Sequence, residues 1–353
     1  MAKIDEFLRE VLQRKGSDLH FIAGDPPRIR LYGDLMPLRP DSLAAEFVRE
    51  ALYEIMPSKA VARFEKLNGA DFAYSLEGLG RFRVNVMRQL NGMGAVLRSI
   101  PTQALTMDQL KLPDAVRGLA RAPNGLILVT GKTGSGKSTT LAAIIDDINK
   151  REKGHIVTIE DPIEFVHQRR NCLISQREIG LHSQGFAQAL NSALREDPDV
   201  ILVGEMRDLE TIQIAVTAAE MGILVMGTLH TNGAAQTVDR VVNVFPADKQ
   251  SHVRTMLSTS LRGVVSQQLL QRADKQGRVA ALEILINNPA VGNLIRQGKL
   301  DQLENTMQSG AATGMRTMDG SIQGLFDQRL ISGREAYKKA INKARFEGFK
   351  DGG

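Results

Sequence analysis

Apolar residues at Ile4, Phe7, Leu8, Val11 and Leu12 recur at the spacing of one helical stripe, and Gly16-Ser17 ends it. Residues 18–31 read as short strands broken by Gly24 and by Pro26-Pro27. Residues 41–67 are mostly helical in pattern. Residues 71–74, 80–88 and 92–100 alternate as antiparallel strands, with turns at Gly78 and Asn91-Gly92. The pattern predicts a small mixed α+β domain over 1–100. Residues 101–113, bounded by two prolines, read as a linker.

After Pro123-Asn124-Gly125 the texture changes. Residues 126–130, 156–159, 200–203 and 224–228 are solid apolar runs, and helical patterns at 137–150, 186–195 and 209–220 separate them. Unbroken apolar strands alternating with helices predict a parallel sheet covered on both faces, within a larger domain over 114–353. From residue 250 onward the pattern reads as mostly helical, including 290–295, 318–325 and a basic end, 337–350. That places a C-terminal helical region at about 271–353.

Composition narrows the class. A chain of 353 residues with 42% hydrophobic and 24% charged positions suits two globular domains. The single cysteine, Cys172, excludes a disulfide framework and any multi-cysteine zinc site, and is expected to be buried. The apolar runs fall short of a membrane span, and the first residues carry no apolar leader, so a cytoplasmic protein is expected. A net charge of +5 permits an anionic partner. Aromatics are 5% and Trp is absent, so no base-stacking platform and no nucleic-acid partner are expected.

One motif carries chemistry directly. Gly131-Lys132-Thr133-Gly134-Ser135-Gly136-Lys137-Ser138 fits GxxxxGK[ST] between a buried strand and a helix. Its glycines turn backbone N–H groups toward phosphate oxygens, and the helix adds its positive end. Lys137 is expected at the β- and γ-phosphates and the Ser138 hydroxyl at Mg²⁺, with Thr139 next to it on the helix. The loop therefore calls for ATP and Mg²⁺.

Carboxylates are expected nearby. The apolar run 200–203 leads to Gly204-Glu205, with glycine where many such proteins carry Asp, so Glu205 is assigned to the metal side. Glu160 and Glu164 step off an apolar strand expected beside the phosphate strand. Glu160 is the first choice to polarise an attacking water and Glu164 the second. His230 ends the run 224–229 and is a candidate sensor of the γ-phosphate.

Four ordered boxes then resemble the secretion ATPase superfamily, and within it the pilus-retraction branch. They are 131–138, 158–164, 199–208 (DVILVGEMRD) and 228–240 (TLHTNGAAQTVDR). The opening 16–31, the stretch 81–85 and the C-terminal 290–295 (AVGNLI) and 314–319 also look like this family. Three positions and one stretch depart from the branch's pattern: Lys132 for a usual Pro, Met206, Gly292 where Arg is common, and the stretch 222–227.

The resemblance implies a PAS-like N-terminal domain, a RecA-like P-loop core and C-terminal helices. It implies a homohexameric ring at the inner membrane that acts with the platform protein and pilus base, and with a paralogous retraction ATPase. Arg81 and Arg83 become candidate arginine fingers, with Arg207 and Arg240 as alternatives. The relatives for extension and type II secretion carry a four-cysteine zinc module, which one cysteine cannot build. The readings kept open are an extension or accessory ATPase and, more distantly, a RecA-like nucleic-acid motor. The basic end reads as a solvated helix face or as a contact with an anionic membrane or the platform protein.

Overall fold

The computed structural model describes residues 2–31, 34–76, 79–100 and 104–350. The turn expected at Gly78, and residues 101–103 of the expected linker, lie outside them. The chain divides into two units. One comprises residues 1–103 with 164–166, the other 104–163 with 167–353.

The first unit is an antiparallel sheet with helices. Its strands are β1 (Asp18–Ile22), β2 (Arg28–Leu31), β3 (Asp34–Pro37), β4 (Gly69–Leu76), β5 (Gly80–Gln89) and β6 (Gly92–Ile100), in the order β3-β2-β1-β6-β5-β4. Strand alternation sorts β5 cleanly. Phe82, Val84 and Val86 enter the core, while Arg81, Arg83 and Asn85 take the other face. That core includes Phe7 and Leu8 of helix Asp5–Gln13, Val48 and Leu52 of helix Ala45–Ile55, and Phe64 of helix Ser58–Leu67.

The second unit is built on seven strands: β7 (Gly125–Thr130), β8 (His155–Glu160), β9 (Leu173–Glu178), β10 (Val200–Val203), β11 (Leu224–Leu229), β12 (Leu261–Gln271) and β13 (Arg278–Ile286). Their order is β13-β12-β7-β11-β10-β8-β9, parallel except for β13, which runs antiparallel to β12. Every residue of β7, β10 and β11 is buried. Leu126 and Leu128 join a core with helices Leu209–Glu220 and Ala247–Ser260. Ile127 and Val129 join the opposite core with helix Lys137–Arg151. Neighbouring residues thus serve opposite faces, which is why these strands show no polar alternation.

Three expectations need correction. The region after residue 250 is helical for the most part but not throughout, because β12 and β13 occupy 261–286. Buried strands made of continuous apolar runs carry no period-2 signature, so LRGVVSQQLLQ and RVAALEILI read equally well as buried helix. The strand bearing Glu160 does not lie beside the phosphate strand, since β11 and β10 separate β8 from β7. Sequence-adjacent strands become neighbours only about two-thirds of the time. Finally, β9 forms where no strand was assigned.

Residues 104–113 pack with the second unit, with Met107 and Leu112 buried beside Val116 and Leu119. Cys172 is buried, as its hydrophobic character suggests. No helix among the described residues is long and apolar enough to cross a membrane.

Candidate active site

The loop after β7 has the backbone its glycines permit. Gly131, Gly134 and Gly136 all have positive φ, at 138°, 78° and 93°. Gly131 also has no room for a side chain, since a Cβ would stand 2.4 Å from the Gln267 carbonyl oxygen. Helix Lys137–Arg151 starts at Gly136 with no side-chain cap and no acid in its first turn. Its free N–H groups and positive dipole end therefore face the loop. Lys137 is buried, and its Nζ donates to the carbonyls of Gly131 at 2.8 Å and Lys132 at 3.3 Å.

The residues present fit a polyphosphate. Ser135 Oγ is buried without a hydrogen-bond partner among the described residues, an arrangement that an incoming phosphate oxygen would satisfy. The Ser138 hydroxyl makes no hydrogen bond among the described residues, so it is available to a metal ion. Thr139 is half-buried beside it, and Thr133 is exposed on the loop.

The strand ends bring three of the expected residues together. Glu205 follows β10. Arg207 grips it with Nε 2.5 Å from Oε1 and Nη2 2.6 Å from Oε2, a forked pair. His230, after β11, places Nε2 3.0 Å from the same Oε1. Burial pushes the Glu205 carboxyl up, but the Arg207 hydrogen bonds and the His230 and Arg207 charges outweigh it and hold it below the ordinary range. Oε1 faces two partners, while Oε2 accepts from Arg207 Nη2 alone and keeps a lone pair for a metal ion or its water. Arg207 thus holds Glu205 in this structure, with its own side chain largely exposed.

Glu160 ends β8. It is 8% exposed and accepts from Thr158 Oγ1 at 2.8 Å. Glu164 lies exposed in the following loop and groups with the first unit. Arg81 and Arg83 share the outer face of β5, in the first unit. Arg240 is exposed in the last turn of helix Ala234–Asn243 and joins no hydrogen bond or ion pair among the described residues.

The departures from the family pattern have local causes. A Cβ at Gly204 would stand 3.1 Å from the Ile159 carbonyl and 3.2 Å from Glu160 Cα, tight against the β8 backbone. Met206 and Gly227 compensate one another, since a Cβ at Gly227 would lie 2.8 Å from Met206 Cε. Gly292 lets helix Pro289–Gln297 close on helix Ala247–Ser260, because a Cβ there would stand 2.8 Å from the Ser258 carbonyl.

Two buried residues escaped sequence reasoning. Gln267 of β12 wedges against the loop. Its Oε1 accepts from Thr140 Oγ1 at 2.8 Å, and its Nε2 lies 2.6 Å from where a Gly136 Cβ would be. Glu283 of β13 accepts from Ala234 N at 2.6 Å and Met318 N at 3.1 Å, joining the starts of two helices, and burial pushes its carboxyl up. No motif surrounds either residue; only the β12–β13 pairing reveals them.

A loop that cradles phosphate, set over a parallel sheet whose neighbouring strand ends carry a buried acid and a charge-held acid, is equipped to bind and cleave a nucleoside triphosphate. The chain is a P-loop ATPase. Residues 1–343 match the sequence profile of the family described as "Type II/IV secretion system protein". The chain is 50% identical over 337 residues to the type IV pilus retraction ATPase PilT of Pseudomonas aeruginosa, covering 96% of this chain and 98% of that one. A twitching motility protein of Neisseria gonorrhoeae is 52% identical over 321 residues, 91% of this chain and 86% of its own. A crystal structure titled as the pilus retraction motor PilT with bound ADP superposes with a TM-score of 0.91 at 44% identity, over 99% of this chain and all of that one. The chain belongs to the type II/IV secretion system protein family, and the RecA-like P-loop core and ATPase chemistry expected from its boxes stand with it.

Proposed function

We propose that this chain is a cytoplasmic ATPase that powers retraction of type IV pili, acting as a homohexamer at the inner membrane on the platform protein and pilus base. The observation that carries the reading is the near full-length match to proteins named for pilus retraction and twitching, joined to an intact phosphate loop. The relative named PilU in Pseudomonas aeruginosa, 40% identical over 338 residues, supports a paralogous partner of the same build.

In the proposed mechanism the loop amides and Lys137 hold the β- and γ-phosphates. Ser138 and Glu205, the latter directly or through water, are the residues that would hold a Mg²⁺ ion, which would supply charge neutralisation on the phosphates. Glu160 is the residue proposed to orient water, Glu164 the second choice. Its burial and its bond to Thr158 keep the carboxylate in one place. His230 and Arg207 hold Glu205 ionised. Arg81 and Arg83 are the proposed arginine fingers, with Arg207 and Arg240 the alternatives.

The test is genetic. The gene is deleted in its own host and restored as wild type or Lys137→Ala, and surface pili are quantified with twitching. Excess pili and lost motility, rescued by wild type alone, is the expected result. Bald cells would assign the chain to extension instead.

A further inference from the structure

Sequence alone leaves the basic C-terminal end in solvent or at a membrane. The structure puts two of its lysines elsewhere. Lys338 and Lys339, in the last turn of helix Gly333–Lys339, line a cavity of ≈ 520 Å³ together with loop residues 132–135, Leu269 and Arg278.

That placement is built rather than incidental. Ala336 packs in a small core with Leu270, Ala281, Ile322 and Phe346. Glu335 Oε1 accepts from Gln271 N at 3.1 Å, and the Leu330 carbonyl from Ala273 N at 2.9 Å, so the segment is tied to β12. Lys343 Nζ donates to the carbonyls of Tyr337 and Lys338 at 2.8 and 2.7 Å, securing the helix end.

The cavity's charge is one-sided. Lys132, Arg278, Lys338 and Lys339 line it, no Asp or Glu does, and none of the four has an ion-pair partner among the described residues. Four uncompensated cations repel one another unless an anion joins them. Leu269 adds an apolar wall, its Cδ1 3.9 Å from where a Gly136 Cβ would be. Arg278 brings a planar cation, the shape that lies over a purine face. Lys132, which replaces the family's usual Pro, adds to the same field.

We propose that the C-terminal helix is part of the nucleotide site: Leu269, Arg278, Lys338 and Lys339 receive the nucleoside and α-phosphate end of a triphosphate whose outer phosphates the loop holds. The inference rests on the nucleotide reading above and extends it to residues outside every family box. It makes the end of the chain responsive to nucleotide occupancy.

Calorimetric titration of the full-length protein with ADP, and with tripolyphosphate as a probe lacking a nucleoside, tests this at fixed salt. Arg278→Ala and the double variant Lys338→Ala/Lys339→Ala should each weaken ADP binding about tenfold. Arg278→Ala should change tripolyphosphate affinity by less than about twofold. Thermal midpoints without ligand should stay at the wild-type value, since these side chains are surface groups. Unchanged ADP affinity in both variants, with Lys137→Ala still sharply weakened, would overturn the inference and leave the phosphate loop assignment intact. Equal loss of ADP and tripolyphosphate binding in Arg278→Ala would also overturn it. So would loss of binding to phosphatidylglycerol vesicles in the double variant with ADP affinity unchanged, which would return the lysines to a membrane. Wild-type ADP affinity in Lys137→Ala would instead sink the nucleotide reading itself.

Discussion

Met206 follows the charge-held Glu205, and its thioether occupies the space over Gly227 of β11. A Cβ at Gly227 would stand 2.8 Å from Met206 Cε and 2.9 Å from Sδ. Met206 is 3% exposed, so its side chain has nowhere open to move. Gly227→Ala should therefore cost about 1–3 kcal/mol, the usual range for overpacking a filled core. Met206→Ala should cost about 2–5 kcal/mol through the cavity it leaves. In that second background the clashing atoms are gone, and Gly227→Ala should cost close to nothing. The coupling energy of the pair is then about 1–3 kcal/mol, and the double variant is more stable than the summed single losses predict.

Thermal unfolding measures this. For a unit of this size, each kcal/mol corresponds to about 2–4 °C. ATP turnover supplies a second readout. Met206 N donates to the Thr228 carbonyl at 3.0 Å, so displacing Met206 disturbs the strand ends that carry Glu205 and His230. Gly227→Ala should lower kcat more than it raises KM, and Met206→Ala should relieve part of that loss. A Gly227→Ala midpoint shift of equal size in both backgrounds would refute the contact, and with it the account of why these two departures occur together.

Two further outcomes follow from the same geometry. Gln267→Leu keeps the size of the side chain but leaves the buried Thr140 hydroxyl without its partner, a loss of about 1–3 kcal/mol. It should also loosen the loop, seen as weaker ADP binding; unchanged midpoint and affinity would show that Gln267 does not support the loop. Glu205 is held below its unfolded value, so its stabilising contribution is present above the ordinary carboxylate range, about pH 4.3, and is lost as pH falls through the lowered native value. Arg207→Ala removes the hydrogen bonds that oppose burial, so the loss should begin at a higher pH in the variant. The midpoint gap between wild type and variant should close below the native value, and a gap of constant size at every pH would rule this coupling out. Arg207 is largely exposed, which limits its effect at neutral pH to under about 1 kcal/mol.

Much of the site was legible before any coordinates. The loop at 131–138 and the runs that became β7, β8, β10 and β11 are local patterns, a glycine spacing in one case and unbroken apolar stretches in the others. Local patterns survive folding because the physics they report, backbone freedom and burial on both faces, acts within a few residues. Their order in the sheet was another matter. Glu160 was expected on a strand beside the phosphate strand, yet two strands intervene. Strand order depends on crossover paths, which leave no mark on the strand itself.

By itself the sequence determined that this chain has a small α+β part, a parallel sheet carrying a phosphate loop, and acids at the strand ends to serve it. Only the tertiary structure decided which groups meet. It turned the apparently helical 261–286 into the β12–β13 hairpin and set Gln267 against the loop. It joined Glu205 to Arg207 and His230, fitted Met206 over Gly227, and carried Lys338 and Lys339 to a cavity formed some 200 residues earlier in the chain. Except for Arg207 and the β12–β13 hairpin, each of these contacts joins residues from elements well separated in sequence. Such pairings are chosen by the packing of whole elements, so no window of sequence encodes them.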